Sequence, residues 1–275
     1  MNVKHIKQIT NEMLQEKLFF IPTMGSLHRG HLSLIENAKQ FELKIVVSIF
    51  VNPKQFNDSN DFKKYPRDIE KDFDILNNSK IDYLFTPDKE YVYGQNFKNI
   101  IHSGSIGKKY EGKSRPGHFD GVLTVVNRLF ELVQPRKAIF GKKDAQQLFL
   151  IKQYVGKNNL DIELLEGDII RDSNGLALSS RNQLLSDQGL VAATGLKRHL
   201  DTLKEEYLQT RDVNQSINYA LEQNKDRNLT VDYLHILDKN TFSKLTEETT
   251  NAIIIIAGYV EGIRLIDNID FKVEI

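Results

Sequence analysis

A short apolar run, Leu18-Phe19-Phe20-Ile21, constrains this chain more than any other feature. The turn Pro22-Thr23-Met24-Gly25-Ser26 follows it, and then apolar residues at Leu32, Ile35 and Ala38. The run has the continuity of a buried strand. The later spacing puts Leu32, Ile35 and Ala38 on one face of a helix. Residues 19–38 are therefore predicted as strand, turn and helix, with His28-Arg29-Gly30-His31 between strand and helix. Two imidazoles three residues apart at a helix start point the same way. Unpaired backbone N–H groups and the helix dipole favour an anion at that position. Gly30 removes a side chain where a ligand approaches the backbone.

Three readings compete for the histidine pair. Taken alone, two histidines in a surface loop need no ligand. Zinc is disfavoured, because the chain has no Cys and no carboxylate or third His at a helical spacing from the pair. A phosphate group suits the strand–turn–helix context best.

Apolar runs alternate with helical patterns through the first two-thirds of the chain. Strands are predicted over 44–51, 82–86, 137–140 and 162–165, with a further one at Ile100-Ile101. Helices are predicted over 66–78, 117–133 and 144–155. This alternation means a parallel sheet covered by helices on both faces. Ligands in such folds bind where strands end in loops. Past residue 170 the order changes: the turn Asp172-Ser173-Asn174-Gly175, helices over 186–209 and 213–224, then strands over 231–237, 252–259 and 263–266. Helices followed by strands form a separate α+β unit. Two domains, 1–171 and 172–275, are expected, in line with the length of 275 residues.

Lys+Arg and Asp+Glu both number 37, which argues against a general nucleic-acid or membrane-surface binder. The absence of Cys removes disulfides, thiol catalysis and thiolate metal sites together. No apolar run has transmembrane length. Met1-Asn2-Val3-Lys4-His5-Ile6 lacks the apolar core of a secretion signal, so the expected location is cytoplasmic.

Four further loops hold polar residues that a simple turn does not need. In the first, Asn52 and Gln55 each donate and accept hydrogen bonds, which suits a small polyol or carboxylate; turn-making by Asn-Pro explains Asn52 but not Gln55. In the second, Asp68, Glu70 and Lys71 read as solvated helix charge. Asp72 has two readings, the same solvated charge or a carboxylate that faces a nucleotide and helps to hold Mg²⁺. The third, Glu111-Gly112-Lys113-Ser114-Arg115-Pro116-Gly117-His118-Phe119-Asp120-Gly121-Val122, reads as a mobile loop with cations, leading into a helix start; a plain surface turn explains its glycines but not the cations beside them. The fourth, Gly141-Lys142-Lys143-Asp144-Ala145-Gln146-Gln147, offers Asp144 as an N-cap. It also puts Lys143 where phosphate is met, and Gln147 toward the crevice that Gln55 faces.

Taken together, several blocks resemble the pantothenate synthetase (pantoate–β-alanine ligase) family. They are Pro22-Thr23-Met24-Gly25 with Leu27-His28-Arg29-Gly30-His31, Phe50-Val51-Asn52-Pro53 with Gln55-Phe56, Tyr65-Pro66-Arg67, Arg115-Pro116-Gly117-His118-Phe119, Gly121-Val122-Leu123-Thr124-Val125-Val126, Lys143-Asp144 with Gln146-Gln147, and Leu178-Ser179-Ser180-Arg181-Asn182. The match runs nearly the whole chain. The His pair alone belongs to a wider superfamily that includes class I aminoacyl-tRNA synthetases.

The resemblance implies an α/β fold: a Rossmann-like doubly wound parallel sheet of the HxGH nucleotidyltransferase superfamily, with a smaller C-terminal α+β lid domain and assembly as a homodimer. It implies ATP and Mg²⁺, and small-molecule substrates (ATP, pantoate and β-alanine) rather than nucleic acid or membrane. Its product is pantothenate, on the route to coenzyme A. It assigns catalysis to His28, His31, Lys143, Ser179, Ser180 and Arg181. ATP binding would add Thr23, Met24, Gly25, Gly30, Gly141, Asp144 and Leu178. Pantoate would lie against Met24, Gln55 and Gln147, a loop bearing Glu111, Arg115 and His118 would close on the site, and Asp72 would serve the metal. Lys142, often acidic in the family, and Leu178, where Met is common, are departures that remove no polar group from the mechanism.

Two other enzyme readings are weaker. A nucleotidyltransferase that stops at a phosphoanhydride has no use for Gln55 with Gln147. A tRNA synthetase needs a basic face that the charge balance does not supply. A nucleotide-binding module without catalysis would have no reason to keep every phosphate-facing residue.

Overall fold

The computed structural model describes residues 3–57, 59–95 and 97–273; Met1 and Asn2, part of the segment read above for a secretion signal, lie outside them. The chain divides into two compact units. The first comprises Met1–Lys142 and Gln146–Asp168; the second comprises Lys143–Ala145 and Ile169–Ile275.

In the first unit, β1 (Lys4–Ile6), β2 (Leu18–Thr23), α1 (Arg29–Ala38), β3 (Lys44–Ile49), α2 (Ser59–Lys64) and α3 (Ile69–Asn78) lead to β4 (Tyr83–Phe85). Then come α4 (Lys89–Tyr93), α5 (Glu111–Ser114), α6 (His118–Val133), β5 (Lys137–Gly141), α7 (Ala145–Lys157) and β6 (Glu163–Gly167). Among the described residues the strands form one six-stranded sheet in the order β1-β4-β3-β2-β5-β6, and every pairing is parallel. Alternate residues of β2 serve opposite faces. Leu18 and Phe20 join Phe119, Leu129 and Ile151 of α6 and α7 in one apolar cluster, while Phe19 and Ile21 join Leu34, Ile35 and Leu76 of α1 and α3 in another. A strand covered on both faces has no polar side, which is why its sequence reads as an unbroken apolar run.

The strand order reverses at β2 and β5. In doubly wound sheets the crevice beyond such a reversal receives the ligand. The segments leaving these two strands carry His28-Arg29-Gly30-His31 and Lys142 to Gln147.

The second unit has α8 (Asp187–Ala193), α9 (Gly195–Thr210) and α10 (Val213–Gln223), then β7 (Thr230–Asp238), β8 (Asn251–Val260) and β9 (Ile263–Lys272). These strands make an antiparallel sheet in the order β7-β8-β9. Leu196, Leu200 and Leu203 of α9 pack with Ile236, Ile254 and Ile256.

Some expectations need correction. Ile100 and Ile101 are not in a strand; the Ile101 amide donates to Thr124 Oγ1 of α6 at 2.9 Å instead. The helix expected from Pro66 starts at Ile69, because the Asp68 carboxylate caps it by accepting from Lys71 N at 3.0 Å. The helix expected over 186–209 is two, α8 and α9. No helix among the described residues is long and apolar enough to cross a membrane.

Candidate active site

The site begins at the exit of β2. Thr23 Oγ1 donates to Ser48 O at 2.7 Å and accepts from Gly25 N at 3.2 Å. Gly25 (φ +82°) and Ser26 (φ +53°) are both left-handed, a conformation that Ser adopts only when its surroundings hold it there. The hold comes from α3. Asp72, 2% exposed, accepts from Ser26 N at Oδ2 and from Leu27 N at Oδ1, each at 2.7 Å. A Cβ on Gly25 would lie 2.8 Å from Asp72 Oδ2, so glycine is required for position as well as for φ. Burial pushes the Asp72 pKa up, and the amides of Leu27 and Ser26 pull it the other way.

From this turn the chain enters α1 with His28 as its N-cap. His28 Nδ1 accepts from Gly30 N at 3.1 Å, and His31 Nδ1 accepts from His28 N at 3.3 Å, a capping box built from two imidazoles. A neutral ring whose Nδ1 accepts carries its proton on Nε2. The rings lie 4.1 Å apart, centroid to centroid. The helix start thus presents two imidazole N–H donors beside the positive end of a helix dipole, which is the equipment for gripping phosphate oxygens. A Cβ on Gly30 would meet the His28 ring at 2.8 Å.

Asn52 and Gln55 lie in and beside a 3-10 turn, Pro53–Gln55, beyond β3. Asn52 Nδ2 donates to Gln55 Oε1 at 3.0 Å and to Gly121 O at 3.1 Å, while Gln55 Nε2 meets Met24 Sδ at 3.0 Å. Met24 also lines a cavity of about 480 Å³ within the first unit, together with Gly25, Phe50, Phe62, Arg67 and Asp72. α6 comes so close to the 53–55 turn that a Cβ on Gly121 would lie 2.1 Å from Lys54 O. A glycine inside a helix is a sequence signal for such an approach.

Residues 111–118 do not form the open loop that their glycines and cations suggest. Glu111, Gly112 and His118 are buried, in α5 and at the start of α6. His118 Nδ1 is 2.7 Å from Gln55 O, so it donates to that carbonyl, and its Nε2 is 3.2 Å from Arg115 NH1. Arg115 also pairs with Glu111 at 3.6 Å. Gln146 holds the segment before them: its Nε2 donates to Ile106 O and Lys109 O, and its Oε1 accepts from Glu111 N. Adjacent Gln147 is half-buried and leaves that task to its neighbour.

Lys143 and Asp144 cluster with the second unit, where Asn268 Nδ2 donates to Lys143 O at 2.8 Å. In that unit Arg171 grips Asp267 with both terminal guanidinium nitrogens, at 2.6 and 2.9 Å. The turn expected at Asp172–Gly175 is present, with Asp172 Oδ1 accepting from Asn174 N and Leu176 N. It leads through Leu178 to Ser179, whose hydroxyl caps the 3-10 turn Ser180–Leu184 by accepting from Arg181 N.

Within the first unit, then, Thr23, Met24, Gly25, His28, Gly30 and His31 lie along one turn and helix start, and Gln55 meets Met24. Asp72, expected at a metal, braces that turn, with both its oxygens accepting backbone amides. Among the described residues no group of three or more His, Cys, Asp or Glu is arranged to hold a metal ion. Sequence reasoning gave no role to Gly121 and Gln146 and passed over Tyr93, whose hydroxyl donates to Asn52 Oδ1 at 2.6 Å.

A family model for pantoate-beta-alanine ligase matches residues 1–270. The pantothenate synthetase of Vesicomyosocius okutanii is 44% identical over 98% of this chain and 95% of its own length. That of Caldicellulosiruptor bescii is 41% identical over 97% and 96%. The crystal structure of pantothenate synthetase from Thermus thermophilus superposes with a TM-score of 0.90 at 38% identity, covering 97% of this chain and 99% of that one. A pantoate-beta-alanine ligase from Francisella tularensis, crystallised with beta-gamma ATP and beta-alanine, gives 0.79 at 33% identity, covering 97% of both chains.

Two tests follow from the geometry. Gly121→Ala forces a methyl group against the Lys54 carbonyl; it should cost about 1–3 kcal/mol of stability, as overpacking does, read as a lowered denaturation midpoint. Asp72→Asn should expose the pH dependence of the buried carboxyl. A carboxyl whose folded pKa is raised above its ordinary 3.8 contributes stability below that value and loses it as pH rises through the folded pKa. Wild type should therefore lose stability relative to Asp72→Asn over that window and then level off. Thermal unfolding across pH measures the difference, and a slope of the opposite sign would mean that the two amides outweigh burial.

Proposed function

The chain belongs to the pantoate–β-alanine ligase family, and on that premise we propose how its own residues join pantoate to β-alanine with ATP. A carboxylate does not acylate an amine, because oxide is a very poor leaving group. In the first step a pantoate carboxylate oxygen attacks the α-phosphorus of ATP, and the bond to the bridging oxygen breaks, giving pantoyl adenylate and pyrophosphate. In the second, the amine of β-alanine attacks the acyl carbon, a C–N bond forms, and AMP leaves with the acyl C–O electron pair. The amine loses a proton on the way.

Adenylation asks the protein for alignment and for stabilisation of charge gathering on the pyrophosphate. The observation that carries the reading is the reciprocal capping of His28 and His31, which fixes both rings where the strand order reverses and makes Nε2 the donor of each neutral ring. Thr23, Met24, Gly25 and Gly30 form the ATP-facing turn beside them. Lys143, Ser179, Ser180 and Arg181, carried by the second unit, are assigned to the phosphates, with Gly141, Asp144 and Leu178 as further ATP contacts. Gln55 and Gln147 are assigned to the oxygens of pantoate. Glu111, Arg115 and His118 are assigned to the far side of the substrates; the ion pair and hydrogen bonds they already make support a fixed wall rather than a closing loop.

Mg²⁺ is proposed as part of the substrate, carried on the triphosphate. The described side chains build no cage for it, and Mg²⁺ bound through phosphates and water needs none. A homodimer working in the cytoplasm belongs to the same proposal and is supported by the family resemblance.

The test is a product assay with ATP, pantoate and β-alanine, omitting each in turn. Pantothenate and AMP should form only with all three, while pyrophosphate exchange should need pantoate but not β-alanine. His31→Ala should slow adenylate formation on the order of a hundredfold, the scale for losing a transition-state donor; near-normal rates would overturn the role. Excess chelator should abolish the first step, and adding Mg²⁺ back should restore it.

A further inference from the structure

The orientation of the Gln55 carboxamide is set by its neighbours. The Asn52 carboxamide has a forced orientation, because Lys54 N–H can only donate and Gly121 C=O can only accept. Lys54 N donates to Asn52 Oδ1 at 3.1 Å, and Asn52 Nδ2 donates to Gly121 O. The Tyr93 hydroxyl, at 2.6 Å from the same Oδ1, must therefore be a donor. The second hydrogen on Asn52 Nδ2 goes to Gln55 Oε1, so the Gln55 carbonyl is engaged. Its NH₂ is left on the Met24 side, against a thioether that accepts only weakly.

We propose that Tyr93 is a positioning residue for this ligase: through Asn52, its hydroxyl holds Gln55 as a hydrogen-bond donor, selecting a substrate group that accepts, such as a carboxylate or hydroxyl oxygen. This rests on the assignment of Gln55 to pantoate. Tyr93 is 5% exposed at the end of α4, with its ring against Phe50 and Phe97 at 6.2 and 5.0 Å between centroids. A phenylalanine would keep that packing and remove only the donor. Burial also pushes the Tyr93 phenol pKa up, which keeps the hydroxyl a neutral donor.

Steady-state kinetics of Tyr93→Phe, Gln55→Ala and the double variant test the relay. Tyr93→Phe should raise KM for pantoate about fivefold and KM for ATP by less than about twofold, the pattern of a lost substrate contact. In the Gln55→Ala background the same change should add nothing, since the pair acts as one unit. An equal rise for both substrates, or the same increment with Gln55 already removed, means that Tyr93 is only a packing residue and overturns the inference. So does a normal pantoate KM for Tyr93→Phe when Gln55→Ala is impaired, and that outcome leaves the Gln55 assignment standing. A normal pantoate KM for Gln55→Ala overturns the assignment and the relay together.

Discussion

Asp72 ties α3 to the exit of β2 by accepting two buried amides, Ser26 N and Leu27 N, across a sequence separation of about 45 residues. The histidine half of the candidate site hangs on that contact. It holds a serine in the left-handed region, sets the direction in which the chain leaves the sheet, and so decides where His28 begins α1. Burying the carboxylate costs desolvation energy, and the two charge-assisted bonds offset part of it. Without them neither the turn nor the imidazole capping box would have a fixed place.

Close backbone packing supplies the second half of the arrangement. Gly121 lets α6 lie on the 53–55 turn, and its carbonyl then becomes the acceptor that orients Asn52. His118, at the start of the same helix, donates to the carbonyl of Gln55. One helix thus grips both the backbone of the turn and, through Asn52, the side chain that the turn presents. Preorganisation of this kind is what adenylation needs, since that chemistry is limited by alignment and charge placement more than by covalent help.

The second unit applies the same logic to its own polar segment. A partly buried Arg171–Asp267 pair, the Asp172 turn and the Ser179 cap fix the path of residues 171–181, and Asn268 holds the Lys143 carbonyl. Breaking that pair by removing one partner would leave an uncompensated charge.

The sequence by itself determined the layered architecture and the strand–turn–helix that carries the two histidines. Strands covered on both faces read as apolar runs, helices show their period, and a strand–turn–helix with two histidines is a local pattern. Short elements escaped it: β1 has three residues, two of them exposed, and α4 has five. Only the tertiary structure decided which polar residues hold the frame. Asp72 lies among charges that look solvated, and Gln146 and Gln147 are neighbours of the same type. Tyr93 reads as ordinary core. Each acquires its role from a partner far away in the chain (Ser26 and Leu27, Ile106 to Glu111, and Asn52), and a hydrogen bond closed by folding leaves no local trace in the order of residues.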